Sequence, residues 1–190
     1  SAPKVEKFKS GKPIVFYGTS ITQGGCASRP GMTYSNILGR WFDCEAINLG
    51  FSGNARMDRS MLEAIKRIDA QKYVINCLPN CTQEIIRDSA YHFMSTLAKE
   101  RPEVTIYMVE NVEFTDRHIN QRTAKDLVEK NRMWSDLYKQ LRKEGYKNLR
   151  YIPSEGYVGT DDEHSVDGAH FTDLGFMRMA ETFKKYLKKR

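Results

Sequence analysis

The sequence lacks several features that would assign a chain to a class at once. Its mean hydropathy is −0.60, and no apolar run approaches the ~18 residues that read as a membrane-spanning helix, so we expect no membrane span. Only 4 of the 190 residues are cysteines, which is too few for a disulfide scaffold at this length. No second cysteine pair repeats the spacing of Cys77 and Cys81, so a structural zinc site is not expected. Phosphate-loop and dinucleotide-binding glycine motifs are also missing.

The excess of positive charge is modest and concentrated at the two ends. Lys and Arg number 30 against 24 Asp and Glu, a formal net charge of +6. Nine basic residues lie near the termini: Lys4, Lys7, Lys9, Lys12, Lys184, Lys185, Lys188, Lys189 and Arg190. Because zinc-finger spacing, aromatic ribonucleoprotein motifs and basic heptads are all missing, we predict no nucleic-acid binding. A basic adaptor for acidic partners is an alternative that the charge leaves open.

The length fits one domain, since domains usually run to about 100–200 residues. Residues 1–12 are polar, lysine-rich and flanked by Pro13, which predicts a linker before a single domain over 13–190. The chain opens on Ser1 without a preceding Met, so we expect a mature form or a piece of a longer protein. The four cysteines allow three two-bridge connectivities or a fully reduced state, and their spacing does not choose among them.

Short β-prone runs alternate with longer helical patterns along the whole chain. The five predicted strands are 14–17, 46–49, 73–78, 104–109 and 149–152. The predicted helices are 33–41, 60–68, 82–99, 122–144 and a last one that starts at about Thr172. This alternation predicts an α/β fold, a three-layer α/β/α sandwich with a five-stranded, mostly parallel, doubly wound (flavodoxin-like) sheet. A closed eight-fold barrel is excluded because it needs about 250 residues and eight repeats.

Chemically useful residues follow the predicted strands. In open parallel sheets, ligands bind beyond the carboxyl ends of the strands. Ser20 follows the first strand, Gly53 the second and Asn80 the third, while Asp167 and His170 lie in the loop after the fifth. We therefore expect these residues to meet at one edge of the sheet.

Together these residues are the parts of an acyl-transfer site. A serine hydroxyl needs a base, which makes His170 the candidate partner of Ser20, and Asp167 would hold the second ring nitrogen. The backbone N–H groups of Gly53 and Ser20 and the side-chain amide of Asn80 are the candidate oxyanion donors.

Four stretches of this sequence resemble the conserved blocks of the GDSL esterase/lipase family, the SGNH hydrolases. They are Gly-Thr-Ser-Ile-Thr at 18–22, Asn-Leu-Gly-Phe-Ser-Gly at 48–53, Asn80, and Asp-Gly-Ala-His at 167–170. The blocks occur in the family's order, and the resemblance extends from about residue 14 to residue 180. It implies that Ser20 is the nucleophile.

By the same resemblance, Gly53 and Asn80 are oxyanion donors, and Asp167 and His170 complete a catalytic triad. Members of the family are mostly esterases, thioesterases or carbohydrate deacetylases that need no metal, so the resemblance implies no cofactor. It also implies a β-rich domain upstream in the full-length protein and a secreted or periplasmic location, with a cytoplasmic one as the alternative.

The sequence departs from the family pattern at two places. Thr19 replaces the usual Asp before the nucleophile, and Leu-Pro-Asn-Cys at 78–81 replaces Gly-x-Asn-Asp. Because Pro79 has no N–H and a fixed φ, we expect the loop that carries Asn80 to differ slightly from the family geometry.

Other residues near the predicted site allow further interpretations. Thr19, Asn54 and Glu110 are candidate substrate-binding residues at the same edge, with a structural role as the equal alternative for Glu110. Cys26 is close to Ser20 in sequence; we expect it to be buried or bridged, with a place in the lining of the pocket as the alternative. A run of possible metal ligands comprises Asp161, Asp162, Glu163, His164, Asp167 and His170. We predict no metal there, because the run is a loop and holds only two imidazoles.

The sequence predicts a serine hydrolase that cleaves carboxylic esters through an acyl-enzyme intermediate. No long acyl tunnel is indicated, because the loops after the first three strands are short and Arg29, Tyr34 and Arg56 are polar. We therefore expect a short acyl group, such as acetyl on a carbohydrate or other small-molecule ester. The alternatives are a lipase or thioesterase for longer acyl chains, and a catalytically silent carbohydrate-binding relative.

Overall fold

The computed structural model describes residues 6–112 and 114–188, which form five strands and seven helices. The strands are β1 (Ile14–Gly18), β2 (Ala46–Gly50), β3 (Lys72–Asn76), β4 (Thr105–Val109) and β5 (Leu149–Ile152). The helices are α1 (Ser20–Gln23), α2 (Tyr34–Phe42), α3 (Arg59–Ile65), α4 (Gln83–Ile85), α5 (Tyr91–Glu100), α6 (Gln121–Lys143) and α7 (Asp173–Leu187). Residues 1–5 of the predicted linker and the basic residues Lys189 and Arg190 lie outside the described residues.

The strands form one sheet in the order β2-β1-β3-β4-β5, and every neighbouring pair is parallel. This is the flavodoxin-like order, so the predicted fold class is confirmed. Gly18 at the end of β1 pairs with Gly50 of β2 and with Asn76 of β3. The loops that follow β1, β2 and β3 therefore start at the same edge of the sheet, with the loop after β1 between the other two.

The core has two halves, one on each face of the sheet. Side chains along β1 alternate between the faces: Tyr17 packs in the cluster that contains residues of α3, α5 and α6, and Phe16 packs in the cluster that contains residues of α2 and α7. All five residues of β1 are buried, as expected for the central part of a sheet covered on both faces. No helix in the described ranges is long and apolar enough to cross a membrane.

Three predicted elements differ from the observed ones by two residues or more. The helix predicted over 60–68 is α3, which ends at Ile65. The third strand was predicted over 73–78, but β3 ends at Asn76 and residues Leu78–Asn80 form a 3-10 turn. Cys77 and Leu78 are fully buried, so hydrophobicity continues past the end of the strand and conceals the change of backbone. The helix predicted over 82–99 consists of α4, a π-helical segment at Ile86–Ala90, and α5.

Candidate active site

Ser20 is the first residue of the one-turn helix α1, directly after β1. Thr19 caps this helix, and its side-chain oxygen accepts the N–H of Ile21 at 3.2 Å. A Cβ on Gly18 would lie 2.1 Å from Oγ1 of Thr22, because the chain turns back here, and 2.6 Å from the carbonyl oxygen of Asn76 on the neighbouring strand β3. Glycine at position 18 therefore allows the turn that brings Ser20 to the edge of the sheet.

Side-chain hydrogen bonds fix α1 to its neighbours. The Asn48 Nδ2 group donates to the carbonyl oxygen of Thr22 at 2.6 Å and to Oγ of Ser35 at 2.9 Å. The hydroxyl groups of Thr22 and Tyr34 are 2.8 Å apart, and both residues are fully buried. Ser20 thus lies on a short helix that is held from β2 and from α2.

Ser20, His170 and Asp167 form a continuous hydrogen-bonded chain. Ser20 Oγ lies 2.9 Å from His170 Nε2, and His170 Nδ1 lies 2.6 Å from Asp167 Oδ2. An ionised carboxylate only accepts hydrogen bonds, so the ring proton is on Nδ1. His170 Nε2 is then the acceptor that faces the Ser20 hydroxyl, which is the arrangement a general base needs.

Asp167 is held by the backbone as well as by the ring. Its Oδ1 atom accepts the N–H groups of His170 at 2.7 Å and Ala169 at 3.0 Å. The backbone N–H of His170, followed by its ring, lowers the pKa of Asp167 from 3.8 to about 2. Asp167 is therefore charged throughout the neutral range.

The loop that carries His170 is anchored at both of its ends. Ser165 and Phe171 form an antiparallel bridge, and the N–H of Val166 donates to the carbonyl oxygen of His170 at 2.8 Å. Phe171 is 1% exposed. These contacts explain how an irregular loop can hold the imidazole at hydrogen-bonding distance from a residue 150 positions away in the sequence.

Asn80 lies in the turn after β3, and one side of its amide is fixed. Its Oδ1 atom accepts the backbone N–H of Ala55 at 3.3 Å. Because an N–H can only donate, this bond assigns the oxygen to that side and leaves the Nδ2 hydrogens facing elsewhere. Pro79 occupies the first turn of the 3-10 segment, where a missing N–H costs no hydrogen bond. The unusual proline is therefore compatible with the position of Asn80.

Gly53 lies in a turn after β2 in which the N–H of Asn54 donates to the carbonyl oxygen of Phe51 at 3.1 Å. Its φ is +69°, a conformation that favours glycine. The bond between Ala55 and Asn80 joins this loop to the loop after β3. Both predicted oxyanion loops thus flank β1, although neither Gly53 nor Asn80 lines the cavity described next.

Ser20 opens into a cavity of about 490 Å³. Its lining residues are mostly small or polar: Ser20, Gln23, Gly24, Gly25, Cys26, Ser52, Asp167 and His170. The sequence analysis missed Gly25, where a Cβ would lie 3.2 Å from the His170 ring. The Gly-Gly pair four and five residues after the nucleophile was the available signal for this close approach.

The exposure of Cys26 differs from our prediction. The residue is exposed and unpaired by any disulfide, whereas we expected a buried or bridged cysteine. Cys26 is exposed because it follows the turn at Gly24 and Gly25, and all three residues line the cavity at Ser20. Cys44, Cys77 and Cys81 are buried free thiols.

Two predicted substrate-binding residues have structural roles instead. Thr19 has no exposed surface, and its hydroxyl caps α1. The Glu110 carboxylate accepts hydrogen bonds from the Tyr151 hydroxyl at 2.6 Å and from the backbone and side chain of Ser154 at 2.8 and 3.0 Å. Both side chains therefore form hydrogen bonds that hold this edge of the sheet together. Asn54 is exposed and stays a prediction.

Two carboxylates of the run of possible metal ligands after β5 are paired with arginines. Asp161 pairs with Arg178 at 2.6 Å, and Asp162 pairs with Arg117 at 2.7 Å. The Arg178 hydrogen bond lowers the pKa of Asp161 to about 2. These pairs tie the loop between β5 and α7 to Arg117, before α6, and to Arg178 on α7.

A second concave surface, here called the polar groove, begins at Asn80 and has a volume of about 780 Å³. It is lined by the loop after β3 and by the first turns of α6: Pro79, Asn80, Cys81, Thr82, Gln83, Glu84, Arg122, Thr123, Lys125, Asp126, Glu129 and Lys130. The groove contains no aromatic side chain. Its charged and amide groups suit a hydroxyl-rich or charged ligand.

The sequence profile of the GDSL-like lipase/acylhydrolase family matches residues 11–188. The chain belongs to this family. Membership supports the hydrolysis of ester bonds as the class of reaction, and it agrees with the Ser-His-Asp geometry at the edge of the sheet.

Solved structures of similar fold include other esterases. A protein described as a GDSL-like lipase from Bacteroides ovatus ATCC 8483 is 36% identical, with a TM-score of 0.91 over 97% of this chain and 54% of that one. A salicylyl-acyltransferase from a tetracycline biosynthetic pathway is 16% identical, with a TM-score of 0.78 over 96% of this chain and 56% of that one. A two-domain esterase active on acetylated mannans is 17% identical, with a TM-score of 0.68 over 94% of this chain and 49% of that one.

The chain therefore spans about half the length of each of these three proteins. No protein of curated function matches this family member's sequence.

Proposed function

We propose that this GDSL-like acylhydrolase cleaves carboxylic esters through a covalent acyl-enzyme on Ser20. The observation that carries the proposal is the hydrogen-bonded chain from Ser20 Oγ through the His170 ring to Asp167. His170 Nε2 takes the hydroxyl proton as Oγ attacks the ester carbonyl, and the resulting imidazolium gives that proton to the departing alcohol. Water then attacks the acyl-enzyme with the same base, which releases the acid and restores Ser20.

The developing oxyanion needs donors that are in place before the reaction. We propose the Nδ2 group of Asn80 and the backbone N–H groups of Ser20 and Gly53 for this role. The Ala55 N–H group holds the amide of Asn80 in one orientation, and Ser20 is the first residue of a helix, where backbone N–H groups lack partners within the helix. Fixed donors of this kind stabilise the charge without reorganisation.

We propose that the acyl group is short. The cavity at Ser20 is lined by glycines and by small or polar side chains, with no large apolar residue among them. A long acyl chain would find no hydrophobic wall there and would gain nothing from burial, which is otherwise worth about 0.8 kcal/mol per methylene. An acetyl group needs no such wall.

We propose that the alcohol part of the substrate is polar, with an acetylated carbohydrate as the favoured class. The polar groove starts at the proposed oxyanion donor Asn80 and continues along α6. Side chains such as Glu84, Arg122 and Asp126 can exchange hydrogen bonds with sugar hydroxyls. A structural relative active on acetylated mannans makes this class a reasonable first choice.

The decisive experiment compares the parent with Ser20→Ala on p-nitrophenyl acetate and with an organophosphonate probe. The expected result is one adduct on Ser20 in the parent, and neither adduct nor turnover in a folded Ser20→Ala protein. Unchanged turnover in the variant would refute the nucleophile. A parent that binds acetylated oligosaccharide but takes up no probe would identify a silent binding protein instead.

A panel of acetyl to octanoyl esters tests the acyl length. In a hydrophobic acyl tunnel, kcat/KM would rise about fourfold per added methylene. We expect no such rise here, and a steady increase with chain length would contradict the short-acyl proposal.

A further inference from the structure

One charged side of helix α6 lines the polar groove. The charged residues of α6 that line it recur three and four positions apart, so they share one face of the helix: Arg122, Lys125, Asp126, Glu129 and Lys130. The other wall is formed by α4 and the loop after β3, which carries Asn80. A ligand in the groove therefore lies against three cations and two carboxylates of one helix.

Lys130 is the buried cation of this face. Its side chain is 10% exposed, and its Nζ atom lies 3.1 Å from Asp126 Oδ2. The other carboxylate oxygen, Asp126 Oδ1, accepts an N–H of the Gln83 amide at 2.9 Å. Burial would raise the pKa of Asp126, but the bonds from Gln83 and Lys130 lower it overall. Asp126 is therefore charged and balances the charge of Lys130.

The ammonium group of Lys130 keeps donors for a ligand. Such a group has three N–H donors, and Asp126 is its one side-chain partner among residues 6–112 and 114–188. Because Lys130 lines the groove, a ligand in the groove can accept the remaining hydrogen bonds.

The other charges of the groove leave an excess of positive charge. Glu129 is paired with Arg132, which is not part of the lining, at 2.5 and 2.9 Å. Arg122 and Lys125 are exposed, and neither forms an ion pair within the part of the chain that the structure describes. Glu84 on the other wall is the one lining carboxylate without such a pair in that part. Two unpaired cations therefore face one unpaired carboxylate.

Exposed cations without partners, next to a buried ammonium group with unused donors, suit a negatively charged ligand. Arg and Lys bind anionic oxygens through charge-assisted hydrogen bonds. We propose that the polar groove binds an acidic carbohydrate, which carries carboxylate or sulfate groups, through Arg122, Lys125 and Lys130. Its place as the alcohol part of the ester substrate rests on the proposed function, whereas the binding of the carbohydrate does not.

The first experiment measures binding by calorimetry with carbohydrates that carry no ester, so that its result does not depend on Ser20. The probes are tetrasaccharides of galacturonic acid, of sulfated galactose and of neutral galactose. We expect the parent to bind one of the acidic probes at least about tenfold more tightly than the neutral one. The tighter acidic probe identifies the anionic group. Equal affinities for all three probes, or no binding of an acidic probe, would overturn the proposal.

Variants of α6 test whether the groove is the site. Arg122→Ala/Lys125→Ala removes two exposed cations and should weaken the binding of the acidic probe at least about tenfold. Lys139→Ala/Lys143→Ala is the matched control, because it removes the same charge from exposed positions of α6 outside the groove, and it should change the affinity less than about twofold. An equal loss in both double variants, or an undiminished affinity in a folded Lys130→Met protein, would refute the proposal.

The second experiment tests whether the bound carbohydrate is the substrate. It compares kcat/KM for the acetylated form of the tighter acidic probe with kcat/KM for acetylated neutral galactose tetrasaccharide. The ratio should fall at least about tenfold in Arg122→Ala/Lys125→Ala and stay within about twofold in Lys139→Ala/Lys143→Ala. An unchanged ratio in the groove variant would contradict the place of the groove in substrate selection. If Ser20→Ala kept full turnover, the proposed function would fail while the calorimetry still decided the groove.

Discussion

Replacing Asp167 by Asn is expected to reverse the hydrogen bonding of His170 while preserving the fold of its loop. Asp167 Oδ1 accepts two backbone N–H groups, from Ala169 and His170. In the variant, the amide oxygen must stay on that side, because an NH₂ group there would face two donors. The NH₂ group then faces Nδ1, which has to accept. The ring proton moves to Nε2, and Nε2 can no longer accept the proton of Ser20.

The magnitude follows from two losses. Restoring the productive tautomer would leave two donors facing each other, at a cost of about 1–3 kcal/mol. The variant also lacks the charge that stabilises the imidazolium, which is worth up to about 4 kcal/mol at an effective dielectric constant near 20. The Asp167 side chain is 50% exposed, so solvent screening reduces the second amount to roughly 1–2 kcal/mol. Together, about 2–5 kcal/mol corresponds to a fall in kcat of roughly 30- to 5,000-fold.

The assay is steady-state hydrolysis of p-nitrophenyl acetate, with the melting temperature measured in parallel. Asp161→Asn is the matched control, since Asp161 is an equally acidic residue of the same loop that pairs with Arg178. We expect the control to keep its kcat within about twofold, because exposed ion pairs contribute little. A loss below about fivefold in Asp167→Asn, or an equal loss in the control, would show that the carboxylate does not orient the base in this way.

Three other predictions use the same structure. The pKa of Asp167 is about 2 in the folded chain against 3.8 ordinarily, so its ionised carboxylate stabilises the fold fully above pH 3.8, and this contribution is lost as the pH falls through 2. The melting temperature should therefore fall less over this pH range in Asp167→Asn than in the parent, and an equal fall in both proteins would contradict the assignment. Asn80→Ala should lower kcat about 10²–10³-fold by removing an oxyanion donor, whereas Gln140→Ala, which removes an exposed amide on α6, is the control with little expected loss, and equal effects would count against the role of Asn80. Gly50→Ala should destabilise the fold by roughly 1–3 kcal/mol, because its Cβ would lie 2.1 Å from the Gln23 backbone nitrogen. The control is Gly11→Ala, whose Cβ meets open space and which should leave the melting temperature unchanged. Equal melting temperatures of the two variants would refute the packing argument.

The apolar pattern of the sequence located all five strands and the main helices. The strands show as short continuous apolar runs, because a parallel sheet covered on both faces buries both sides of each strand, and the helices show as helical spacing of apolar residues. It did not give the end of β3, where Cys77 and Leu78 are as buried as the strand itself. It also did not give the short helix α1, which is too brief to show a period. Such boundaries depend on backbone hydrogen bonds, which apolar content does not reveal.

The candidate site was predictable where chemistry restricts the residue type. A serine after the first strand, with an aspartate and a histidine in the loop after the fifth, indicated Ser20, Asp167 and His170 before any coordinates. The residues whose roles the sequence did not determine were those whose side chains have several uses. Thr19 caps a helix, Glu110 holds Tyr151 and Ser154, and Cys26 faces the cavity. A polar residue at a strand end can bind a ligand or form hydrogen bonds within the protein, and only its neighbours in the folded structure determine which.

By itself, the sequence determined the layered α/β architecture and the order of the blocks, since both depend on local periodicity and on which groups can perform acyl transfer. The tertiary structure alone decided the 2.9 Å contact between Ser20 and His170, the orientation of the Asn80 amide and the approach of Cys26 to the same imidazole. These depend on distances between residues far apart in the chain, which are set by the register of β1, β2 and β3 and by the packing of the loop before α7.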